Sequence, residues 1–430
     1  MRRALAIATL ALATGIPGAA AAPQAAPAPV QPTRVAVIIM ENKAYSEVVG
    51  DTADAPYING TVLPEALSLA PSSPTCDYVQ GDPQGTGTEA CTAGMFQSRR
   101  VEGGFRAGNS AAEYAWMVMG TDANVLNAHL PDCVPGTKHC PPTTDPNGGV
   151  VGYAPGGDPS DPPYNLFRVL ENAGDPFTVY AEDYPGDAST CSTDQWSDPS
   201  APMHEFYARK HNPFLVVWDQ SPDAAVTPGI TPSSPPSDAE CRAHMRNFPH
   251  NVQNTLDQAT NFDGTQSFGP VTFIVPSLCH DMHNPTKHCE DVPDVGGVTG
   301  GDTWLANNLP GIQKDVGSTG VVVITWDEGN SDDAGTVSPM PTFILPGVGG
   351  SGTAGRLAAC PSGGCVDDVH LYDQSSTARA LLAAVGAGCA TLDDSVSYIG
   401  QGSNTAQSYC KAATPLPLLV LDPAAGSGAG

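Results

Sequence analysis

The chain has 430 residues, of which 40% are hydrophobic and 15% are charged. A chain of this length and composition can bury a full core, as one large domain or two modest ones, and is not intrinsically disordered. Its 45 acidic residues outnumber its 18 Lys and Arg residues, giving a formal net charge of −27. The resulting field would repel nucleic acid and anionic membrane surfaces. This charge suits a soluble exported protein with an acidic site that binds a cation.

Residues 1–22 have the pattern of a signal peptide: two arginines, an apolar run and then small residues. The apolar run is too short to span a membrane, so we expect a secreted, extracellular protein without stable membrane insertion. The alternative is a buried N-terminal helix, which Pro17, Gly18 and Pro23 would break. Residues 23–33 are rich in Ala, Pro and Gln, which predicts a flexible leader.

The chain contains 12 cysteines. In an exported protein, an even number of cysteines favours disulfides over a metal site, and no Cys-x-x-Cys pair is present. Proximity in sequence suggests the pairs Cys133–Cys140, Cys279–Cys289, Cys360–Cys365 and Cys389–Cys410. Four cysteines then remain without an assigned partner: Cys76, Cys91, Cys191 and Cys241.

The first chemically informative segment is RVAVIIMENKAY, from Arg34 to Tyr45. Its uninterrupted apolar run predicts a strand that is buried on both faces. Glu41 and Asn42 follow this run directly, and a carboxylate and a carboxamide at the end of a strand are candidate ligands. In open α/β sheets, binding sites form beyond the carboxyl ends of the strands.

A helix is predicted from Asn109 to Met119, with Ser110 at or just before its N-terminus. This position favours negative charge, either on an anionic substrate or on the serine oxygen itself. The alternative is that Ser110 only caps the helix, with Glu113 completing a capping box.

Apolar and helix-forming runs predict the next elements: a helix over Tyr164–Asn172, a strand over Phe177–Ala181 and a strand over Phe214–Trp218. Lys210, His211 and Asn212 lie just before the last of these. Such a cationic, hydrogen-bonding cluster would bind an anion, although a solvated turn fits the local sequence equally well.

The following segment contains a predicted helix over Ala239–Thr260 and a predicted strand over Val271–Val275. A loop with several titratable side chains comes next, including Asp281 and His283. A further helix is predicted over Asp302–Gln313, with Asp302 as its N-cap.

A second strand, Val321–Trp326, repeats the design of the first, because its apolar run ends at Asp327 and Glu328. A strand over Met340–Leu345 and a helix over Ser375–Val385 complete the predicted elements, and His370 lies just before that helix. Residues 413–430 are predicted to be a low-complexity C-terminal tail.

Strands that alternate with helices predict an α/β fold with a mostly parallel central sheet covered by helices on both faces. We expect residues 34–412 to form a single domain of this kind with long, disulfide-stapled loops. The acidic pairs at the ends of two strands would then meet at one rim of the sheet.

Four side chains at these strand ends are hard oxygen ligands: Glu41, Asn42, Asp327 and Glu328. Together they suit a divalent cation such as Mg²⁺, Ca²⁺ or Mn²⁺. Three carboxylates brought together would repel one another unless a cation lay among them. The alternative is that the strand-end acids are helix caps. Three histidines are candidates for general acids or for hydrogen-bond donors to a phosphate group: His211, His283 and His370.

Several segments resemble one family in the same order along the chain: IIMENKAY, NSAAEYAWMVMG, ARKHNPF, PSLCHDMH, GDTWLANNLPGI, VVVITWDEGN and HLYDQSSTARALL. The chain resembles the bacterial phosphoesterases that include secreted acid phosphatases and non-specific phospholipases C, relatives of the alkaline phosphatase superfamily. The matching segments extend over about residues 35–386, and their shared order makes the resemblance more specific than any one of them.

The resemblance implies an alkaline-phosphatase-like fold and a bound divalent metal ion, which would be Mg, Ca, Mn or Zn. It assigns the metal to Glu41, Asn42, Asp327 and Glu328. Catalysis would fall to Ser110 as nucleophile, with His283 and His211. The substrate-binding residues would be Lys210, Asn212, Asp281 and His370.

The chain departs from the family pattern at three places. The His-Pro that precedes the serine in the family is Gly108-Asn109 here, and the later Pro-Asn is Ala112-Glu113. Glu328 follows Asp327 where some relatives have two aspartates. A histidine near the C-terminus is replaced by Gln374, for which His370 is a candidate substitute.

The resulting hypothesis is a secreted, metal-dependent acid phosphatase that hydrolyses phosphate monoesters through a serine nucleophile. One alternative is a phospholipase C acting on phospholipid headgroups. Because such phospholipases usually carry long C-terminal β-domains, the short segment after the last predicted helix favours the phosphatase. Another alternative is an exported binding protein of the same fold without activity. A sulfatase-type relative is disfavoured, since the Cys-x-Pro-x-Arg motif is absent.

Overall fold

The computed structural model describes residues 28–73, 92–96, 110–119, 166–174, 176–184, 207–218, 238–247, 262, 264–265, 268–283, 289, 296–329, 338–388 and 414–421. The predicted signal peptide lies outside these residues, as do residues 23–27 of the predicted leader and the end of the predicted tail. No helix among the residues described is both long enough and apolar enough to cross a membrane.

The strands of the described residues are β1 Pro29–Val30, β2 Val35–Met40, β3 Leu67–Leu69, β4 Gly94–Phe96, β5 Phe177–Ala181, β6 Met245–Asn247, β7 Val271–Val275, β8 Val321–Trp326, β9 Thr342–Pro346, β10 Cys365–Asp367, β11 Leu371–Asp373 and β12 Val420–Leu421. The α-helices are α1 Tyr45–Val48, α2 Leu63–Glu65, α3 Ser110–Met119, α4 Leu166–Ala173, α5 Pro213–Trp218, α6 Asp238–His244, α7 Gly297–Val316 and α8 Gln374–Ala384. Short helical turns lie at Ile58–Val62 and Arg209–His211.

Within the described part of the chain, eight strands form the central sheet, in the order β10-β3-β9-β8-β2-β7-β5-β6. All neighbouring strands in it are parallel except that β9 runs antiparallel to both β3 and β8. The predicted α/β fold with a mostly parallel central sheet is therefore confirmed.

The two strands with the longest apolar runs, β2 and β8, lie side by side in the centre of the sheet, and all of their residues are buried. Since successive side chains of a strand point to opposite faces, both faces of these strands are covered. Helix α7 packs against β2 and β8, while α3 packs against α8, α5 and α4.

The register of these strands brings the chemically informative residues to one rim. Met40, the last residue of β2, pairs with Trp326, the last residue of β8. On the other side of β2, Ile38 pairs with Ile274, so β7 ends at the same rim. The segments that follow all three strands therefore leave the sheet together.

The prediction of a strand over Phe214–Trp218 is wrong, because this segment forms helix α5. The Asn212 side-chain oxygen accepts hydrogen bonds from the backbone N–H groups of Phe214 (3.2 Å) and Leu215 (3.1 Å). This is the hydrogen bonding of a helix N-cap. A short apolar run cannot by itself distinguish a buried strand from a buried helix.

Two other helix predictions need correction. The helix predicted from Ala239 ends at His244, because Met245–Asn247 forms β6 and pairs with β5 at the edge of the sheet. Asp302 does not cap α7, which begins earlier, at Gly297. Its carboxylate instead accepts hydrogen bonds from the backbone N–H groups of Tyr57 (2.9 Å) and Ile58 (2.8 Å).

Two of the predicted disulfides, Cys279–Cys289 and Cys360–Cys365, are confirmed. The other two predicted pairs lie outside the described residues. Cys241, to which no partner was assigned, is also disulfide-bonded.

The predicted leader and the predicted tail contact each other. β1 in the leader pairs antiparallel with β12 in the tail, and Leu416, Leu418 and Val420 are buried. The described part of each segment is therefore packed onto the domain.

Candidate metal centre

Three carboxylates come together at the rim where the central strands end. Glu41 follows β2, Asp327 follows β8, and Asp281 lies in the turn after β7. All three side chains are fully buried. The backbone N–H of Glu41 donates a hydrogen bond of 2.6 Å to the carbonyl oxygen of Asp281, which ties two of these segments together.

Glu41 is the most connected residue of the cluster. Its Oε1 accepts a hydrogen bond from the Tyr114 hydroxyl at 2.7 Å, and its Oε2 accepts one from Ser110 Oγ at 3.3 Å. Ser110 is the first residue of α3 and is 2% exposed. Ser110 and Tyr114 lie four residues apart, on the same face of a helix, so one helix contacts both oxygens of the carboxylate.

His211 lies between two of the carboxylates. Its Nδ1 is 3.4 Å from Glu41 Oε1 and 3.5 Å from Asp281 Oδ2. Ligand atoms of these three residues all lie within 4.8 Å of one another. The His211 ring also stacks parallel to the Tyr114 ring, with 5.6 Å between centroids and 3° between planes.

Asp327 is held through one of its two carboxylate oxygens. Oδ1 accepts hydrogen bonds from the backbone N–H groups of Asn42 (3.1 Å) and Glu328 (2.7 Å). Asn42 has a φ of +43°, in the left-handed region that Asn tolerates better than most residues. Behind this segment, the Gln374 side-chain nitrogen donates to the backbone carbonyls of Trp326 (3.1 Å) and Asp327 (2.8 Å).

The buried charges shift the ionisation of the cluster. Burial raises the pKa of Glu41 and of Asp281 well above their usual values, and the nearby Asp327 carboxylate raises both further. Burial also raises the pKa of Asp327 to about 6, against the opposing effect of its backbone hydrogen bonds. The pKa of His211 is lowered well below its usual value by burial and by the charge of Lys210. The site therefore favours neutral imidazole and disfavours three unbalanced carboxylates.

The residues present fit a divalent cation. Among the buried side-chain atoms of the described residues, four of the rim atoms have no hydrogen-bond partner: Asn42 Oδ1, His211 Nε2, Asp281 Oδ2 and Asp327 Oδ2. Buried polar atoms normally have partners, and a cation would satisfy the oxygens while balancing their charge. Carboxylate and amide oxygens suit Mg²⁺, Ca²⁺ or Mn²⁺, and an added imidazole nitrogen suits Mn²⁺ or Zn²⁺.

The other predicted site residues lie at different distances from this cluster. The backbone N–H of His283 donates to Asp281 Oδ1 at 2.8 Å, and the His283 ring centroid is 6.4 Å from that of His211. Glu328 is buried beside Asp327. Lys210 is partly buried, and its charge lowers the pKa of Glu41, Asp281 and Asp327.

Asn212 and His370 have other contacts. The Asn212 oxygen caps α5, and its nitrogen lies 3.4 Å from the Tyr207 hydroxyl. His370 is 56% exposed, and its Nδ1 pairs with Asp367 at 2.9 Å. Gln374, rather than His370, contacts the backbone at Asp327.

Two features of the site were not predicted from the sequence. The sequence motifs do not mark Tyr114, although its position four residues after Ser110 in a helix indicates a shared face. The family resemblance assigns His211 to catalysis and Asp281 to substrate binding, whereas the structure groups both with Glu41 as candidate cation ligands. Sequence separation hides this arrangement, since the three residues come from distant segments.

Comparison with known proteins finds distant structural similarity only. No family model matches the sequence, and no curated protein matches it. Among solved structures, a protein in the alkaline phosphatase superfamily from Vibrio parahaemolyticus is similar over 84% of this chain and 69% of its own, with 7% identity and a TM-score of 0.39. The PsFucS1 sulfatase from Pseudoalteromonas sp. is similar over 90% and 74%, with 11% identity and a TM-score of 0.39.

The lipoteichoic acid synthase LtaP from Listeria monocytogenes is similar over 85% of this chain and 76% of its own, with 10% identity and a TM-score of 0.37. Similarity at this level does not indicate a shared substrate.

Proposed function

We propose that this protein is a metal-dependent hydrolase of phosphate monoesters that uses Ser110 as its nucleophile. The observation that carries the proposal is the position of Ser110. Its hydroxyl lies 3.3 Å from Glu41 Oε2, at the N-terminus of α3 and within a buried cluster of acidic side chains. A serine in this environment combines a hydroxyl nucleophile with ligands for an activating cation.

Glu41, Asp281 and His211 would hold the cation, together with Asp327 and with Asn42 and Glu328 at the same rim. The bound ion would polarise a phosphoryl oxygen and lower the pKa of the Ser110 hydroxyl. With Nδ1 of His211 as the ligand atom, the imidazole proton resides on Nε2, which has no other partner among the described residues.

Ser110 would attack the phosphorus atom in line with the ester bond, while its hydroxyl proton passes to Glu41 Oε2, which already accepts its hydrogen bond. An Oγ–P bond forms, the ester O–P bond breaks, and the alcohol leaves after taking up a proton. His283 is the candidate donor of that proton, and the Nε2–H of His211 is a candidate hydrogen-bond donor to a phosphoryl oxygen. Water then attacks the phosphoserine, the Oγ–P bond breaks, and inorganic phosphate leaves. Ser110 regains its hydroxyl proton from Glu41 Oε2.

An anionic substrate needs local positive charge in a protein with a net charge of −27. Lys210 supplies one such charge close enough to lower the pKa of three buried carboxyl groups. The N-terminus of α3 adds the favourable end of a helix dipole at Ser110. These features support a phosphate group as the bound anion.

The test is a substrate panel on purified protein, first stripped of metal and then supplied separately with Mg²⁺, Ca²⁺, Mn²⁺ and Zn²⁺. The panel contains phosphate monoesters, phosphatidylcholine and sulfate monoesters, and the products measured are inorganic phosphate, diacylglycerol and sulfate. We expect metal-dependent phosphate release from the monoesters. Diacylglycerol as the main product would favour a phospholipase C, sulfate would favour a sulfatase, and no turnover with any metal would favour a binding protein.

Replacing Ser110 by Ala tests the assignment of the nucleophile. We expect turnover to fall by roughly 10³-fold or more, because the covalent step is lost, while Mn²⁺ still binds. Ser68→Ala is a control, since Ser68 is buried in β3, where its hydroxyl lies 3.1 Å from that of Tyr45. Turnover by the Ser110 variant close to that of the wild-type protein would rule out Ser110 as nucleophile.

Export is part of the proposal and is supported by the signal-type pattern of residues 1–22. Intact-mass analysis of protein recovered from the culture medium of a producing cell would test it. We expect a mature chain that begins close to Pro23. Retention of full-length protein inside the cell would contradict export.

A further inference from the structure

Tyr114 touches two of the groups proposed to hold the cation. Its hydroxyl donates a hydrogen bond of 2.7 Å to Glu41 Oε1, while its ring stacks parallel to that of His211. His211 Nδ1 is 3.4 Å from the same Glu41 oxygen. The tyrosine therefore fixes both the rotation of the carboxylate and the plane of the imidazole.

The hydroxyl of Tyr114 is the donor in its contact with Glu41 Oε1, because a carboxylate oxygen can only accept. Tyr114 is fully buried, so this contact is shielded from solvent. A neutral phenol donating to a carboxylate makes a short, charge-assisted hydrogen bond. It also leaves the second oxygen, Glu41 Oε2, directed toward Ser110.

The helix that carries Tyr114 is itself anchored. The Trp116 indole N–H donates a hydrogen bond of 2.6 Å to Ser375 Oγ at the start of α8. Both side chains are buried. Because Ser110 and Tyr114 belong to the same anchored helix, their hydroxyls approach Glu41 as one rigid unit.

We infer that Tyr114 is a positioning residue of the metal centre, which orients Glu41 and His211 for cation binding and aligns Glu41 with Ser110. This inference rests on the proposed function of the site. Hydrogen-bond partners of metal ligands commonly affect metal affinity or activity by about 10- to 100-fold. Tyr114 does not itself contact the reacting atoms in this role.

The test compares the wild-type protein with Y114F and Y372F. The control matches closely, because the buried Tyr372 hydroxyl also donates to a carboxylate, Asp367, at 2.7 Å. The Mn²⁺ dissociation constant is measured by electron paramagnetic resonance of the free ion. Both kcat and KM for p-nitrophenyl phosphate are then measured at saturating Mn²⁺.

We expect Y114F to bind Mn²⁺ about 10- to 100-fold more weakly and to lose kcat more than it changes KM, whereas Y372F keeps the wild-type affinity. Equal Mn²⁺ affinity of the wild-type protein and Y114F would overturn the inference and leave the proposed function standing. Failure of the wild-type protein to bind Mn²⁺, Mg²⁺, Ca²⁺ or Zn²⁺ would overturn both.

A second variant covers the case in which Y114F does not fold, as judged by circular dichroism. Y114H keeps an aromatic ring, but an imidazole is shorter than a phenol and cannot place a donor where the Tyr114 hydroxyl meets Glu41 Oε1, so we expect its Mn²⁺ affinity to be weaker than that of the wild-type protein. If Y114H folds and binds Mn²⁺ as tightly as the wild-type protein with unchanged kcat, the phenol has no positioning role and the inference is overturned.

Discussion

Neutralising Asp327 should stabilise the metal-free protein and weaken its response to a cation. The pKa of Asp327 is raised from 3.8 to about 6 in the folded protein. Each unit corresponds to about 1.4 kcal/mol, so ionising Asp327 costs the folded state about 3 kcal/mol at neutral pH. In Asp327→Asn, the remaining carbonyl oxygen can still accept the N–H groups of Asn42 and Glu328, but more weakly than a carboxylate does. We therefore expect a net stabilisation of about 1–2 kcal/mol.

Because the pKa of Asp327 is raised in the folded protein, the stabilisation by Asp327→Asn depends on pH. A carboxyl group whose folded pKa is raised holds its proton more tightly in the folded protein than in the unfolded chain. Below about pH 4, Asp327 is protonated in both states and the penalty is absent. The penalty grows between about pH 4 and pH 6 and is complete above that range. The stabilisation by Asp327→Asn should accordingly be small at pH 4 and full at pH 7.5.

Urea unfolding of metal-free protein at these two pH values measures the effect, and a second series at pH 7.5 contains Mn²⁺. The wild-type protein should gain about 2.7 kcal/mol at a Mn²⁺ concentration 100 times its dissociation constant, and the variant less. Asp302→Asn is a matched control, because the Asp302 carboxylate also accepts two backbone N–H groups but lies outside the cluster. Asp302→Asn should leave the Mn²⁺ response unchanged. A metal-free Asp327→Asn protein that is less stable than the wild type at pH 7.5 would refute the electrostatic reasoning.

Two further predictions concern the turn that carries Asp281. A Cβ atom at Gly301 would collide with the Met282 side chain, so Gly301→Ala should cost about 1–3 kcal/mol in urea unfolding and weaken Mn²⁺ binding. Gly60→Ala, where a Cβ would meet nothing within 4 Å, should be neutral or slightly stabilising, and equal Mn²⁺ affinity in both variants would contradict this account. Replacing Cys279 and Cys289 by Ser should lower the free energy of unfolding by about 3 kcal/mol, as loop closure over their separation of 10 residues predicts. A loss below about 0.5 kcal/mol would show that the turn is held by other contacts.

Prediction from the sequence was most accurate for strands that are buried on both faces, because such strands are uninterrupted apolar runs. The apolar runs of β2 and β8 predicted both strands with correct bounds, because a strand in the middle of a parallel sheet is buried on both faces. The acidic residues at their ends could then be assigned to one rim. The helix that begins at Ser110 was also predicted correctly.

Two features depend on the folded structure and could not be predicted from the sequence: the helix after Asn212 and the partners of His211. The apolar run after Asn212 forms a helix rather than a strand, because the Asn212 side chain caps it. The grouping of His211 with Glu41 and Asp281 depends on segments that meet only in the folded protein. Residue type marked these side chains as candidates for a functional site, but their partners follow from the tertiary structure.

Strand β9 runs antiparallel to both of its neighbours in the sheet. The segment after β9 therefore lies at the other end of the sheet from the segments that follow β2 and β8. Pro346, the last residue of β9, lies beside Val321, the first residue of β8, so the chain after β9 emerges at the end of the sheet opposite the candidate metal centre. The turn around Ser351 in that segment is exposed, and its contacts lie among neighbouring residues such as Thr353. This turn is therefore a site where the chain can be lengthened, labelled or attached to a surface without disturbing the residues proposed to perform the chemistry.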